Sequence, residues 1–303
     1  MYDIVVVGAG PAGLVSALYA RRAGKSVCVL EKATFGGQIT YSPKVENIPG
    51  FLSVSGNGFA EKLVEQVLDQ GAEVECCEVL EIRDGEIKTV VTDSGEFAAK
   101  TVIIATGAKH RMLGLDREEQ FVGEGISFCA VCDGAFYEGK DVAVIGGGNS
   151  ALQEAILLSE TSRKVYVVQN LDFLTGEKKL CEQLEAKENV EIILGTVVES
   201  ILGDNTLEGI TVKKTADGTT FNLKVDGMFV AIGLVPQNEA FKNVLGLDER
   251  GYADSTEDCT TKTPGIFVAG DCRQKGVRQV TTAVSDGATA ALAAVKYLDL
   301  LSL

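Results

Sequence analysis

The stretch YDIVVVGAGPAG, residues 2–13, decides the fold. An apolar run enters the glycine turn Gly8-x-Gly10-x-x-Gly13, and an amphipathic segment follows, so the pattern predicts a strand, a tight turn and a helix. In such a turn the second glycine lets the backbone approach a pyrophosphate, and the third lets helix and strand pack closely. A second apolar run, VCVLE, ends at Glu31, which can accept hydrogen bonds from ribose hydroxyls. These elements predict a βαβ unit that binds a dinucleotide.

The same pattern occurs again near the middle of the chain. DVAVIGGGNSA (141–151) gives another strand and glycine turn, and KVYVVQ (164–169) gives the next strand. The segment IFVAGDC (266–272) and the small-residue helix after it do not fit this second unit, so we expect them to return to the first. We predict an α/β fold of two Rossmann-like three-layer ββα domains, the first discontinuous (1–111 and 241–303) and the second inserted (112–240).

Composition narrows the class of protein. The 303 residues are 46% hydrophobic and 23% charged and include 34 glycines, as expected for an α/β protein with many tight turns. A formal net charge of −15 argues against nucleic-acid binding, because that affinity comes largely from Lys and Arg on phosphates. No apolar stretch approaches the ~20 residues of a membrane span. The first strand starts at once and leaves no room for a signal peptide, so we expect a cytoplasmic protein.

Cys129 and Cys132 are the pair with suggestive spacing among eight cysteines. A zinc site needs four ligands, but the chain has no second CxxC and a single histidine, His110, so we predict no metal site. We expect His110 to lie at the surface. CxxC spacing keeps two sulfurs within disulfide reach, and Asp133 follows as a possible proton donor. The pattern therefore predicts dithiol–disulfide exchange.

These motifs together resemble the low-molecular-weight thioredoxin reductase family of two-domain flavoproteins, nearly from end to end. The matching stretches are GAGPAG with Glu31, GGQIT (36–40), ENIPGF (46–51), ATGA (105–108), CAVCDG (129–134), GGGNSA (146–151), AIGLVPQN (231–238) and GDC…RQV (270–280). The resemblance implies FAD in the first domain and NAD(P)-type architecture in the second. It also implies thioredoxin as the substrate, and a homodimer.

The resemblance carries roles onto matching residues. Cys132 is expected to face the flavin, Cys129 to attack the substrate, and Asp133 to act as acid and base, while one domain swivels on the other. Gln38 and Asn47 are expected along the flavin. The predicted FAD-binding residues are Gly8, Gly10, Pro11, Ala12, Gly13, Glu31, Lys32, Gly37, Gln38, Asn47, Val79, Thr106, Gly107, Asp271 (ribityl and phosphate region), and Arg278, Gln279 and Val280 (isoalloxazine).

The strand after the second glycine turn departs from the family pattern. Relatives that use NADPH end it in His-Arg-Arg with a further Arg four positions on, a cluster that clamps the ribose 2′-phosphate. Here Gln169, Asn170, Leu171 and Thr175 stand at those positions, so the sequence predicts that NADPH is not the donor. NADH stays open, since Gln169 or Asn170 could bind a ribose with Asp172 close by. Alternatively, the glycines of the second turn serve only the packing of strand on helix, and no nucleotide binds there.

A subgroup of this family lacks the NADPH signature and takes electrons from reduced ferredoxin, and the present sequence resembles that subgroup. An acidic ferredoxin would need a local basic patch, for which Arg273, Lys275 and Arg278 are candidates. Three alternatives stay open: an NADH- or NADPH-driven reductase, a flavin redox sensor without turnover, and a reductase for another thiol protein.

Overall fold

The computed structural model describes residues 1–42 and 45–301, which form two compact units. Unit 1 consists of Met1–Lys109 and Val235–Leu303, and unit 2 is His110–Leu234. Each unit is built on a sheet whose central strands are parallel, with helices and antiparallel strands added to it. The predicted α/β class with two Rossmann-like units is confirmed.

Unit 1 contains a seven-stranded sheet in the order β3-β2-β1-β6-β5-β4, with β17 paired to β6. Strands β1, β2, β3, β17 and the second half of β6 run parallel, whereas β4, β5 and the first half of β6 form an antiparallel meander. The strands are β1 Tyr2–Val7, β2 Val27–Glu31, β3 Glu73–Cys76, β4 Val79–Arg83, β5 Lys88–Thr92, β6 Gly95–Ile104 and β17 Ile266–Val268.

Three helices cover one face of this sheet: α1 Pro11–Arg22, α2 Gly56–Asp69 and α6 Val280–Leu301. Helices α1 and α6 pack closely because small residues face each other; a β-carbon at Gly287 would lie 2.3 Å from the Ala12 oxygen. On the opposite face, Ile82 and Val90 of the meander pack against Val5 and Leu30. Within the described ranges, no helix is both long and apolar enough to cross a membrane.

Unit 2 contains a five-stranded parallel sheet in the order β11-β10-β9-β15-β8 and a separate antiparallel sheet β12-β13-β14. Its helices are α3 Ala130–Asp133, α4 Asn149–Ser159 and α5 Lys178–Glu185. The strands are β8 Ile126–Ser127, β9 Asp141–Ile145, β10 Lys164–Val168, β11 Val190–Ile193, β12 Thr196–Leu202, β13 Gly209–Lys214, β14 Thr220–Leu223 and β15 Gly227–Val230. Separate apolar clusters fill the two faces of the parallel sheet.

The boundaries of the compact units differ from those predicted at 111/112 and 240/241. The chain passes between the units along β7 (Ala108–His110) and β16 (Leu234–Pro236), which pair with each other. Residues after β16 already belong to unit 1, because the buried Asn238 amide donates to the Gly251 and Cys272 oxygens at 2.9 and 2.7 Å. The sequence pattern did not reveal these side-chain bonds.

Candidate functional site

The first glycine turn leaves open the space in front of helix α1. Gly10 is the N-cap residue of α1, and no side chain of the described residues caps the first N–H groups of this helix. A β-carbon at Gly10 would meet no described atom within 4 Å. At Gly8 it would lie 2.5 Å from the Ala105 oxygen, and at Gly13 it would lie 1.9 Å from the Gly8 oxygen. The first and third glycines thus allow close packing, while the second presents helix N–H groups to a phosphate.

Glu31 lies at the end of β2, beside this turn. One carboxylate oxygen accepts the Ala9 N–H at 2.8 Å, and the other accepts the Ala33 N–H at 2.9 Å. These bonds fix the orientation of the carboxylate while each oxygen keeps a further lone pair. Glu31 is therefore held where it can accept hydrogen bonds from the hydroxyls of a ribose.

Asp271 lies in the short 3₁₀ helix Gly270–Cys272. Its Oδ1 is shielded from solvent and accepts no hydrogen bond from the described residues, although Lys275 Nζ lies 3.4 Å away. Burial raises the pKa of Asp271, and Lys275 opposes this shift. Because buried polar atoms are normally hydrogen-bonded, an orphaned acceptor indicates a place for the hydroxyl of a ligand. This fits the predicted contact with the ribityl region.

The other predicted residues of unit 1 lie in loops and at element ends. Asn47 Nδ2 donates to Gln279 Oε1 at 3.2 Å, and Gln38 Nε2 donates to the Ala108 oxygen. The Arg278 guanidinium stacks on the Tyr252 ring at 4.1 Å. Four predicted residues stand at the starts of elements: Pro11 and Ala12 of α1, Val79 of β4 and Val280 of α6. Lys32 forms an ion pair with Glu78, the Thr106 hydroxyl donates to Asn238 Oδ1, and the Gly107 oxygen accepts the Gln237 N–H. A β-carbon at Gly37 would lie 3.1 Å from Gly10 Cα.

Unit 1 therefore fits FAD as the dinucleotide. The open N-terminus of α1 suits the pyrophosphate, Glu31 suits the adenosine ribose, and Asp271 supplies an acceptor without a donor. The structure joins these predicted residues in small groups: Gly10 with Gly37, and Asn47 with Gln279.

Cys129 and Cys132 form a disulfide at the start of the short helix α3, with their Cα atoms 5.3 Å apart. Cys129 is the N-cap of α3, and its Sγ accepts the Cys132 N–H at 3.2 Å. Val131, between the two cysteines, is 62% exposed, so the disulfide lies next to the surface of unit 2. The structure thus forms the bond that the CxxC spacing predicts.

Asp133 ends α3 and is half-buried. The Ser127 hydroxyl donates to its Oδ2 at 2.6 Å, while its Oδ1 is shielded and has no hydrogen-bond partner in the described part of the chain. Burial raises the pKa of Asp133, and the bond from Ser127 opposes this shift. A carboxyl with one oxygen free, directly after Cys132, is suited to proton exchange with the dithiol.

His110 is not the surface residue that its basic turn suggests. Its ring stacks on Phe128 with the ring centroids 4.7 Å apart, and burial lowers its pKa to about 4. The prediction was wrong because Phe128, the residue before Cys129, provides an apolar face for the ring. The imidazole is therefore neutral near pH 7.

The second glycine turn has the same backbone as the first but is covered by its own chain. At Gly147 a β-carbon would lie 2.5 Å from Gln169 Nε2, so the Gln169 side chain lies directly on the turn. Gln169 is 5% exposed, and its amide donates to the Phe173 oxygen and accepts the Asn170 N–H. Thr175 donates to the Gly147 oxygen from both its N–H (2.8 Å) and its hydroxyl (3.2 Å).

The segment after this strand also bonds to the side chain of Asn149, the first residue of helix α4. The Glu177 N–H donates to Asn149 Oδ1 at 2.7 Å, and Asn149 Nδ2 donates to Glu177 Oε1 at 3.0 Å. The Gly176 N–H donates to the Gly147 oxygen. Residues 169–177 therefore form a cover over the turn, here called the 169–177 segment, and a carboxylate lies at the N-terminal end of the helix.

Residues 2–287 match the family described as pyridine nucleotide-disulphide oxidoreductase. A thioredoxin reductase of Listeria monocytogenes is 41% identical over 99% of this chain and 94% of its own length. The crystal structure of a thioredoxin reductase from Streptococcus pyogenes superposes with a TM-score of 0.94, at 39% identity, over 99% of both chains.

The chain belongs to the low-molecular-weight thioredoxin reductase family. A protein described as a 34.2 kDa protein in the rubredoxin operon of Clostridium pasteurianum is 42% identical over 98% of the chain and 97% of its own length. Thioredoxin reductases are flavoprotein oxidoreductases that bind FAD and carry a redox-active disulfide, and both sites described above agree with this family.

Two of the three cations expected to form a basic patch, Arg273 and Lys275, are largely covered, whereas Arg278 is partly exposed. Arg273 is 7% exposed and pairs with Asp286 at 2.8 Å. Lys275 also pairs with Asp286, at 3.0 Å, with its side chain 10% exposed. Arg278 donates to the carbonyl oxygens of Asp271 and Arg273. Arg273 and Lys275 thus hold the loop of the thioredoxin reductase FAD site together, and Arg278 is the cation of the three that is not paired with Asp286.

Sequence reasoning missed three polar residues of these sites. Asp286 accepts the Gly270 N–H as well as the two ion pairs, and Ser127 bonds to Asp133. Burial raises the pKa of Glu154, on α4, to about 8, and its Oε2 accepts no hydrogen bond from the described residues. Only Ser127 could have been suspected from the sequence, because it lies two residues before Cys129. Asp286 and Glu154 lie on helices, where nothing in the sequence separates them from surface acids.

Proposed function

We propose that this protein reduces the disulfide of thioredoxin with electrons supplied by reduced ferredoxin. Relatives named thioredoxin reductase support the substrate, and the intact Cys129–Cys132 disulfide supplies the chemistry. One observation carries the choice of donor: the 169–177 segment covers the second glycine turn, where a nicotinamide nucleotide would otherwise bind.

Electrostatics of the second turn oppose a pyridine nucleotide. A dinucleotide places its pyrophosphate at the helix N-terminus, where the positive end of the helix dipole favours negative charge and a second anion competes for the site. Here the Glu177 carboxylate is bonded to Asn149, the first residue of α4, and no basic residue replaces the missing clamp at Gln169, Asn170, Leu171 or Thr175. The Gln169 amide, the best remaining contact for an NADH ribose, is already bonded to its own chain. Both NADPH and NADH therefore lose the contacts that they need.

The chain's own residues account for the thiol chemistry. FAD, when bound, accepts electrons and supplies the two that reduce the Cys129–Cys132 disulfide. Helix α3 holds Cys129 at its N-cap, where its Sγ accepts the Cys132 N–H. Asp133 holds or releases a proton through its free Oδ1. The single exposed residue between the cysteines leaves the pair open to a protein substrate.

An anaerobic donor assay tests the choice of electron source. Oxidised holoprotein is mixed separately with reduced ferredoxin, NADPH and NADH, and flavin absorbance is followed by stopped flow. We expect bleaching by ferredoxin to be at least about 100-fold faster than bleaching by either nucleotide, because losing several charged phosphate contacts costs orders of magnitude in affinity. Rapid bleaching by NADPH or NADH would overturn the ferredoxin proposal in favour of a pyridine-nucleotide reductase.

A cysteine variant separates the donor from the thiol output. In Cys129→Ser, ferredoxin should still bleach the flavin, while thioredoxin reduction should stop. Wild-type protein whose flavin is photoreduced should reduce thioredoxin without any ferredoxin. If photoreduced wild type fails to reduce thioredoxin, and Cys132→Ser, which keeps the attacking Cys129 but lacks the resolving thiol, traps no thioredoxin, the protein is a flavin redox sensor or acts on another thiol protein.

We also propose that the protein is a cytoplasmic homodimer, as the sequence resemblance implies. Sedimentation equilibrium of the holoprotein should give twice the mass of the chain. A monomer at micromolar concentration would contradict the dimer and leave the redox proposal intact.

A further inference from the structure

Ser127 is a buried hydroxyl that joins the CxxC loop to Asp133. It ends β8, is 5% exposed, and lies opposite Phe229 of β15 in the parallel sheet. Its Oγ accepts the Cys129 N–H at 3.1 Å and donates to Asp133 Oδ2 at 2.6 Å. One hydroxyl therefore bonds both to the backbone of the first redox cysteine and to the carboxyl that follows the second.

The direction of these bonds follows from the donor inventory. A serine hydroxyl has one hydrogen, an ionised carboxylate only accepts, and a backbone N–H only donates. The chain of bonds therefore runs from the Cys129 N–H to the Ser127 oxygen, and from the Ser127 hydroxyl to Asp133. Asp133 Oδ1 is shielded from solvent and has no such bond within the described residues, so it is the oxygen left to exchange a proton.

We propose that Ser127 is a positioning residue that holds the Asp133 carboxyl in register with the Cys129–Cys132 pair during thiol exchange. The inference rests on the proposed acid and base role of Asp133. The bond from Ser127 stabilises the carboxylate form, whereas burial favours the protonated form. Ser127 thus opposes the effect of burial on the pKa of Asp133.

The thiol–disulfide exchange that Asp133 assists has two steps. The Cys129 thiolate attacks the thioredoxin disulfide, so a bond forms between the two proteins and the thioredoxin S–S bond breaks. Cys132 then attacks Cys129, which restores the Cys129–Cys132 disulfide and releases reduced thioredoxin. Two electrons and two protons leave the dithiol and reach thioredoxin in total. Asp133 holds one of these protons between the steps.

The titration of Asp133 must be distinguished from that of other groups in unit 2. Burial, followed by the charge of Asp133, raises the pKa of Tyr137 to about 12, so this phenol does not titrate near neutrality. Glu154 lies on α4, which packs against α3, and burial raises its pKa to about 8. The pH limb that belongs to Asp133 is therefore defined as the one that disappears in Asp133→Asn.

Single-turnover reduction of thioredoxin by photoreduced holoprotein, followed across pH, tests the inference without any donor protein. In Ser127→Ala the Asp133 limb should move upward by about one to two pH units, because a hydrogen bond to a charged group is lost. The rate at pH 7 should fall about tenfold. Ser127→Thr keeps the hydroxyl on a strand-compatible side chain and should retain the wild-type profile.

The matched controls separate this role from simple packing. Ser162→Ala removes another buried hydroxyl of unit 2, also 5% exposed but without a described hydrogen-bond partner, and should leave the profile unchanged. Ser127→Val has the shape of Ser127→Thr without the hydroxyl, so the Thr and Val pair decides the question even if Ser127→Ala does not fold.

The possible outcomes distinguish a failure of the Ser127 positioning role from a failure of the acid and base role of Asp133. If Asp133→Asn removes a limb that Ser127→Ala and Ser127→Val leave in place, the positioning role fails and the role of Asp133 stands. If Asp133→Asn leaves the whole profile unchanged, the acid and base role fails, and the inference fails with it. A shift in Ser127→Val that is absent in Ser127→Thr and in Ser162→Ala supports the positioning role.

Discussion

Single buried carboxyls in this protein differ in how completely they are satisfied. Glu118, 2% exposed, accepts three backbone N–H groups, from Leu113, Gly114 and Leu115, at 2.8–3.1 Å. Glu154 is partly exposed as a residue, but its Oε2 is shielded from solvent and accepts no hydrogen bond from the described residues. Burial alone raises its pKa to about 8. A carboxyl of the first kind stabilises a loop, whereas one of the second kind makes stability depend on pH.

Glu154→Gln should stabilise the protein at alkaline pH. Glu154 keeps its proton in the folded state up to about pH 8 but loses it in the unfolded state near 4.5, so wild-type stability is full below about 4.5 and falls as pH rises toward 8. The uncharged amide removes this loss. Calorimetry should show a rise in Tm of about 5 °C or more near pH 8.5 and little change near pH 5. An equal rise at both pH values would contradict the assignment.

The sequence could predict residues whose role follows from spacing, but not residues whose role follows from orientation. Cys129, Cys132, the first glycine turn and Glu31 stand at fixed intervals in the chain, and the structure gives each the expected geometry. Gln169 could equally face a ribose or the turn. Only the folded chain, with Gly147 beneath its amide, decides between them.

Helices α1 and α4 begin at similar glycine turns but pack at different distances. Gly13 lets α1 approach until a β-carbon would lie 1.9 Å from the Gly8 oxygen. The matching position of α4 is Ala151, which is fully buried and tolerates its own β-carbon there. The turn before α1 therefore has no room for a β-carbon at its third glycine position, whereas the turn before α4 has room for one.

Gly13→Ala should abolish FAD binding, because the new β-carbon forces α1 away from the turn that presents its N–H groups. The reciprocal change, Ala151→Gly, should keep full flavin content and cost only about 1 kcal/mol, the usual penalty for glycine in a helix. The flavin-to-protein absorbance ratio of the purified variants measures the difference. Normal flavin content in Gly13→Ala would contradict the close-packing argument.

At the scale of the whole molecule, all the residues assigned to FAD lie in unit 1, and the dithiol with its carboxyl lies in unit 2. Internal duplication in the sequence predicts both units, since each repeats a strand, a glycine turn and a helix. The crossing points between the compact units depend on β7 pairing with β16 and on the bonds of Asn238, so they differ by a few residues from the boundaries expected from the sequence. Such contacts leave no periodic signal.

Removal of FAD should loosen one unit more than the other. Ligand binding stabilises the folded state of the unit that holds it, so hydrogen exchange in the apoprotein should accelerate in β1, β2 and β6 of unit 1. Strands β9 and β10 of unit 2 should change much less. Exchange followed by mass spectrometry on the apoprotein and the reconstituted protein measures this, and equal acceleration in both units would contradict it.

The 169–177 segment has a consequence for inhibition and for cell physiology. Under the proposed function, the second glycine turn does not bind a nicotinamide nucleotide, so inhibitors and affinity resins that mimic NADPH should not bind to unit 2 of the FAD-loaded protein. Under the proposed function, the thiol state of the cell would then follow the reduction of its ferredoxin pool. It would stay uncoupled from the ratio of NADPH to NADP⁺ on which biosynthesis draws.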